Sequence, residues 1–148
     1  MIVYRISLKK YAKIEASGNQ ARWNSKGKYM LYTAENISLA CLENIVHRSG
    51  IQLAADYMVL KIKLPPDIET LDINLLPKNW SSELDYTPTQ KIGDHWLQSF
   101  SSLILKVPSV IVPSESNFLI NCAHKDFKKI KLIEATPFTF DGRLKHLD

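Results

Sequence analysis

The chain is poor in the features that define several large functional classes. Its 148 residues hold two cysteines, too few for a disulfide framework or a cysteine-built zinc site. Cys41 sits between Ala40 and Leu42, and Cys122 ends an apolar run, so both are expected to be buried free thiols of a cytoplasmic protein. The four histidines, His47, His95, His124 and His146, lie in separate segments without ligand spacing, and no metal site is expected. There is no glycine-rich phosphate loop, and no G-x-S-x-G elbow of the kind a serine hydrolase needs. The apolar runs fall far short of the roughly 20 residues of a membrane span. The opening MIVYRISLKK lacks the basic head, apolar centre and small-residue cleavage site of a secretory signal. Internal repeats and low-complexity segments are absent.

What remains is an ordinary globular composition, expected to form one domain over residues 1–148. A domain of this size buries roughly 68–70% of its unfolded surface and needs no staple. The net charge of +4 gathers in Lys9, Lys10 and Lys13 near the start and Lys125, Lys128, Lys129 and Lys131 near the end. That balance suits an anionic small molecule, an acidic protein or a nucleic acid. Lysine clusters of this size are ordinarily solvated surface, so direct nucleic-acid contact is not expected.

Residues 2–8 and 28–33 read as strands, with polar loop and a short helix between them. Asn36 can cap a helix from Ile37 to about Arg48, ended by Ser49-Gly50. Leu39, Cys41, Leu42, Ile45 and Val46 cover its apolar face, with Glu43 on the rim. Residues 56–64 alternate as a half-buried strand, Met58, Leu60, Ile62 and Leu64 inward, stopped by Pro65-Pro66. A short strand over ETLDINL and a surface loop over 76–88 follow. Thr87-Pro88-Thr89-Gln90 reads as a capping box opening a helix to about Ser101, which buries Ile92, Trp96, Leu97 and Phe100 and leaves Asp94 and His95 to solvent. LILKV, SVIVP, NFLIN and the stretch KKIKLIEATPFTF complete seven or eight strands. Without regular helices between them, a doubly wound parallel sheet is not expected. The expected fold is α+β: a single domain with a strongly bent mixed sheet and two or three flanking helices.

Four separated residues, Arg22, Tyr32, Glu43 and Ser109, are the candidates for chemistry, and Arg5 raises the same question as Arg22. Arg22, in the loop QARWNSKG, can grip a pyrophosphate bidentately; a surface arginine or an ion pair is the bland alternative. Arg5, inside an apolar strand, must find an anion, whether ligand or side chain. Tyr32, at a strand end, can stack on a flat ring and keep its hydroxyl wet, or be an ordinary core-edge tyrosine. Glu43 can face a ribosyl cation, or simply pair with His47 one turn on. Ser109 can hydrogen-bond a ligand's phosphate or ribose.

The phrases VYRIS, ARWNSKG, YMLYTAENISLACLENIVH, IGDHWL, LKVPSVIVPSESNFLINCAH and PFTFDGRL, in that order and spanning nearly the whole chain, resemble the RES-domain family, named for its arginine, glutamate and serine. The resemblance places those residues on Arg22, Glu43 and Ser109, the family's site tyrosine on Tyr32, its early arginine on Arg5 and its asparagine on Asn121. Ala21 stands where many members have glycine, and Cys122 where many have proline.

The resemblance implies an ADP-ribosyltransferase-like fold and the toxin half of a bacterial toxin–antitoxin pair. It implies cleavage of the nicotinamide–ribose bond of NAD by phosphorolysis or hydrolysis, with catalytic Arg22, Glu43 and Tyr32. NAD is then substrate rather than cofactor, bound by Arg5, Arg22, Tyr32, Ser109 and Asn121, with inorganic phosphate as a candidate co-substrate. The implied partner is an Xre-type helix-turn-helix antitoxin, in a complex that allows a toxin homodimer. Transfer of ADP-ribose to a protein is the neighbouring alternative. A non-catalytic basic module that binds nucleic acid or antitoxin is the alternative from another class.

Overall fold

Side-chain alternation along the strands divides the interior between the two faces of one bent sheet. The computed structural model describes residues 1–47 and 55–146. Seven strands, β1 (Ile2–Leu8), β2 (Met30–Ala34), β3 (Tyr57–Lys63), β4 (Glu69–Thr70), β5 (Ile104–Pro108), β6 (Ser116–Asn121) and β7 (Lys131–Phe138), lie in the order β4-β5-β6-β2-β1-β3-β7. Only β4 and β5 run parallel; the other neighbours are antiparallel. Two α-helices, α1 (Ile37–Val46) and α2 (Thr87–Ser99), accompany the sheet among the described residues. The fold is the expected α+β single domain, and none of its described helices is long and apolar enough to cross a membrane.

One face carries Val3, Leu31, Leu60, Ile62, Ile104, Phe118 and Ile120, closed over by Ala12, Ile14, Ile68 and Phe127. On the opposite face, Met30, Leu105, Val107 and Leu119 pack with Trp23 under Trp96 and Leu97 of α2. Beside them Ile6, Ala34, Tyr57 and Val59 pack under Leu39 and Ala40 of α1. Each such Leu, Ile or Phe contributes roughly 1.5–3 kcal/mol by leaving water. β3 is thus buried on both faces over its first half, not half-buried throughout: Tyr57 and Val59 meet α1 while Leu60 and Ile62 meet the other core.

Between β1 and β2 the pairing shrinks to one register match, Tyr4 with Ala34, whereas β1 and β3 match over seven positions. The sheet therefore parts into β4-β5-β6-β2 and β1-β3-β7. A cleft opens where they separate, on the face shared by the two helices.

Several local expectations change. SVIVP is a turn joining β5 to β6 rather than a strand, because the Ser109 hydroxyl accepts from the Ile111 and Val112 amides and folds the chain back. Thr87 lies inside α2; Tyr86 is its N-cap and no side chain caps it. Gln90 reaches across to the Ala21 carbonyl instead of closing a capping box. The helix stops at Ser99 because Phe100 adopts a left-handed conformation (φ 51°), which turns its ring outward. Asp94 faces the loop at Ser25, not solvent. Both cysteines are free but half-buried rather than buried. The proposed stop of α1 at Ser49-Gly50, and Arg48, fall outside the described residues.

Candidate active site

The loop that carries Arg22 is locked onto the start of α2. Thr89 donates its hydroxyl to the Arg22 carbonyl (2.6 Å), and Gln90 donates its amide to the Ala21 carbonyl (2.9 Å). One turn on, the Asp94 carboxylate accepts from the Ser25 amide (3.0 Å) and hydroxyl. Gly93 makes the approach possible, for a Cβ there would lie 1.8 Å from the Trp23 carbonyl oxygen. Within the loop the Asn24 side chain donates to three carbonyls, those of Asn19, Ser25 and Lys28.

Tyr32 ties this loop to β2. Its hydroxyl donates to Asn24 Oδ1 (2.6 Å) and accepts from the Trp23 amide (3.1 Å). The hydroxyl is therefore spoken for rather than wet, and burial pushes its pKa well above the ordinary tyrosine range despite the Trp23 amide. A phenol held that way is a poor proton donor to substrate, though Tyr32 borders the cleft.

Arg22 is itself 8% exposed, a buried cation. Its Nη1 donates to the Trp80 and Ser82 carbonyls (2.8 and 3.0 Å), and the Tyr86 ring lies 4.4 Å from its guanidinium carbon. Among the described residues no carboxylate comes within ion-pair distance of it, so it is neither the surface residue nor the ion pair weighed from sequence. Nε and Nη2 stay unengaged among those residues, which leaves a fork for an anion.

Glu43 stands on α1, at the polar edge of an inward face that also carries Leu39, Ala40, Cys41 and Ile45. Leu39 and Ala40 are buried, but the face continues through Glu43 and Asn44 while Leu42 and Val46 turn outward. The cause is local. Asn36 caps the helix by accepting from the Leu39 amide (2.7 Å), and Asn44 donates to the Ile6 carbonyl of β1 (2.8 Å), which together fix the helix rotation. Glu43 Oε1 accepts from Asn117 Nδ2 (2.6 Å) and Ser109 Oγ (3.0 Å), and Oε2 lies 3.3 Å from His47 Nε2. Burial pushes the carboxyl pKa up, but the bonds from His47, Asn117 and Ser109 outweigh it and hold the group below its ordinary value. Glu43 is an ionised carboxylate in a partly desolvated place.

These parts share one cleft of about 640 Å³, bordered by Arg5, Arg22, Tyr32, Glu43, Asn117 and Tyr86 among others. Arg5 borders it from β1, while its guanidinium donates to the Glu15 carbonyl (2.9 Å). Ser109 is fully buried behind Glu43, its hydroxyl spent on that carboxylate and on the turn. Asn121 is not brought to the cleft. It is buried at the end of β6, where it donates to the Leu97 carbonyl and accepts from the Ala123 amide, joining sheet to α2. Asn117, four residues earlier on the same face of β6, touches Glu43 instead. Among the described residues no group of three His, Cys, Asp or Glu side chains stands together to hold a metal.

Sequence reasoning missed Asn117, Asn44 and Tyr86. The signals were present but faint: an asparagine leading an apolar strand, another inside an amphipathic helix, and Trp80 and Tyr86 in a stretch otherwise read as surface loop.

Known proteins resemble this chain in sequence and fold. The family model described as RES domain matches residues 2–141. A protein named Toxin Res from Photorhabdus laumondii is 38% identical over 151 residues, covering 97% of both chains. A Prs ADP-ribosylating toxin from a Sphingobium species is 36% identical over 127 residues, or 83% of this chain and 79% of that one. Among solved structures, the M. tuberculosis MbcT–MbcA toxin–antitoxin complex contains a chain that superposes with a TM-score of 0.73, over 93% of this chain and 84% of its own, at 15% identity, a likeness of fold alone. The match along residues 2–141, with the extent and identity of the curated relatives, makes this chain a member of the RES-domain family.

Proposed function

We propose that this chain is the toxin of a toxin–antitoxin pair and that it cleaves the bond between nicotinamide and ribose in NAD. The observation that carries the reading is the Glu43 carboxylate, held ionised by three donors in the same cleft as the anion-ready fork of Arg22. In the reaction the C1′–N bond breaks and its electron pair stays on the ring nitrogen, so nicotinamide leaves neutral. Positive charge builds on the ribose, where a fixed carboxylate is worth most. Oxygen of water or inorganic phosphate then bonds to C1′, giving ADP-ribose and a proton, or ADP-ribose phosphorylated at that carbon. Arg22, aided by Arg5, holds the pyrophosphate. The Tyr32 ring borders the base, and Ser109 acts through Glu43 rather than on the ligand. NAD is the substrate, and a helix-turn-helix antitoxin is the proposed partner.

The test is release of free nicotinamide from NAD by the purified, antitoxin-free protein, with and without phosphate, and identification of the ribosyl product. Folded wild-type protein that is silent in both buffers sinks the proposal. A second reading, transfer of ADP-ribose to a protein, gains support from the Sphingobium relative's name. It uses the same cleft and places label from adenylate-labelled NAD on a lysate protein instead of leaving it in small molecules.

A further inference from the structure

The two oxygens of Glu43 are engaged unequally. Oε1 takes both Asn117 and Ser109, at 2.6 and 3.0 Å. Among the described residues, Oε2 meets the imidazole of His47, one helical turn on, at 3.3 Å. His47 is half exposed (52%) and borders the same cleft, while Glu43 is 22% exposed. Oε1 is thus the anchored oxygen, and Oε2 is the one available to a ligand.

We propose that His47 is a positioning residue that gates Glu43. Neutral, it steers Oε2 with a single hydrogen bond that a substrate can displace. Protonated, it holds Oε2 in an ion pair and sets a positive charge beside the atom where positive charge must develop. The inference rests on the NAD-cleaving reading and adds to it a control by pH, through a residue that touches the carboxylate but not the reacting atoms.

Other titratable and charged groups border the cleft: Tyr4 and Arg5 from β1, Arg22 from its loop, Tyr32 from β2, and Glu83 and Tyr86 from the segment before α2. Among the described residues none of them hydrogen-bonds to the Glu43 carboxylate, whose partners are His47, Asn117 and Ser109. Histidine is the side chain that ordinarily changes charge between about pH 5 and 8. Glu43 itself is held below the ordinary carboxylate range and so stays ionised across that window. Among the described residues, His47 is the imidazole in contact with that carboxylate.

The experiment measures kcat and KM for nicotinamide release from pH 5.5 to 8.5 in wild type, His47→Gln and His47→Ala. Glutamine keeps an N–H donor for Oε2 but does not titrate. The wild-type kcat is expected to fall at least about fivefold from pH 8 to 5.5 with KM steady, and the Gln variant to stay within about twofold over the same range. Alanine is expected to lower kcat at every pH, with glutamine restoring part of that loss. A Gln variant that keeps the wild-type acid loss overturns the inference and leaves NAD cleavage standing. Wild-type protein that releases no nicotinamide at any pH overturns the functional reading and this inference with it.

Discussion

Gly93→Ala tests how the arginine loop is held. Helix propensity alone favours the change, since alanine in a helix interior gains about 1 kcal/mol over glycine. The structure says the opposite. The new Cβ would lie 1.8 Å from the Trp23 carbonyl oxygen and 2.8 Å from its carbon, both backbone atoms that cannot swing aside. Helix and loop must part by more than about 1 Å to restore ordinary contact. That opening strains the bonds of Thr89 to Arg22, Gln90 to Ala21 and Asp94 to Ser25. Overpacking costs about 1–3 kcal/mol, and each weakened bond up to about 1 kcal/mol more. With overpacking near about 2 kcal/mol and the three bonds weakened by about 1–3 kcal/mol together, less the propensity gain, the net loss is about 2–4 kcal/mol, or a fall in Tm on the order of 10 °C. Turnover should fall further than stability, because a guanidinium displaced by about 1 Å costs about a hundredfold in rate. Urea denaturation and nicotinamide release on the same samples provide both readings. Gly142→Ala, where a Cβ meets nothing within 4 Å, is the control and should change stability by less than about 0.5 kcal/mol. A Gly93→Ala protein as stable as wild type, or more so, would show that the helix does not clamp the loop and refute the reasoning.

Three further outcomes are expected. Arg22→Lys keeps the charge but cannot bond the Trp80 and Ser82 carbonyls together while lying on Tyr86, so kcat/KM for NAD should fall about a hundredfold and proteolysis within residues 76–86 should quicken. Tyr32→Phe leaves Asn24 Oδ1 and the Trp23 amide without their shared partner and should cost about 1–3 kcal/mol by urea denaturation. Ser109→Ala removes one donor from Glu43 and the acceptor of two turn amides. Glu43 has a depressed folded pKa, so its ionisation stabilises the fold above its unfolded value, near the ordinary 4.5, and that contribution fades as pH falls through the folded value. The Ser109→Ala deficit should therefore be largest above pH 4.5 and shrink in acid to the part owed to the turn, which denaturation at neutral and acid pH will separate.

Most strands and both helices were legible because local pattern decides them: the alternation in DYMVLKIKL, the Asn36 cap and the turn prolines. SVIVP failed that test, being as apolar as its neighbours, yet a buried serine hydroxyl recruits two amides and turns the chain. The rotation of α1 failed too. Counting apolar residues points Leu42 and Val46 inward, but the helix turns to bring Asn44 to Ile6 and Glu43 to Ser109 and Asn117, contacts made across at least 38 residues of chain. Arg22, Tyr32 and Glu43 were identified as candidates by residue type and order. Which neighbours hold them was not legible: the Trp80 and Ser82 carbonyls, Tyr86 and Asn117 become partners only after the sheet has folded. Asn121 shows the converse, a polar residue singled out from sequence that proves to be a tie between β6 and α2.

The asparagines at the inner edge of α1 serve the placement of Glu43 rather than the stability of the fold. Two acceptors near it, Asn44 Oδ1 and Asn117 Oδ1, are buried with no hydrogen-bond partner among the described residues. Each such group costs about 1–3 kcal/mol. An apolar stripe there would fold at least as well, since the sheet beneath already presents Ile6, Ala34 and Val59. The donors on the same two side chains explain why the asparagines stay: Asn44 sets the helix rotation through Ile6, and Asn117 sets Oε1 of Glu43. A leucine at either position removes the orphaned oxygen and the donor together. The fold thus carries two unsatisfied carbonyls so that one carboxylate is ionised and aimed, a local conflict of the kind natural sequences keep at working sites and compensate elsewhere.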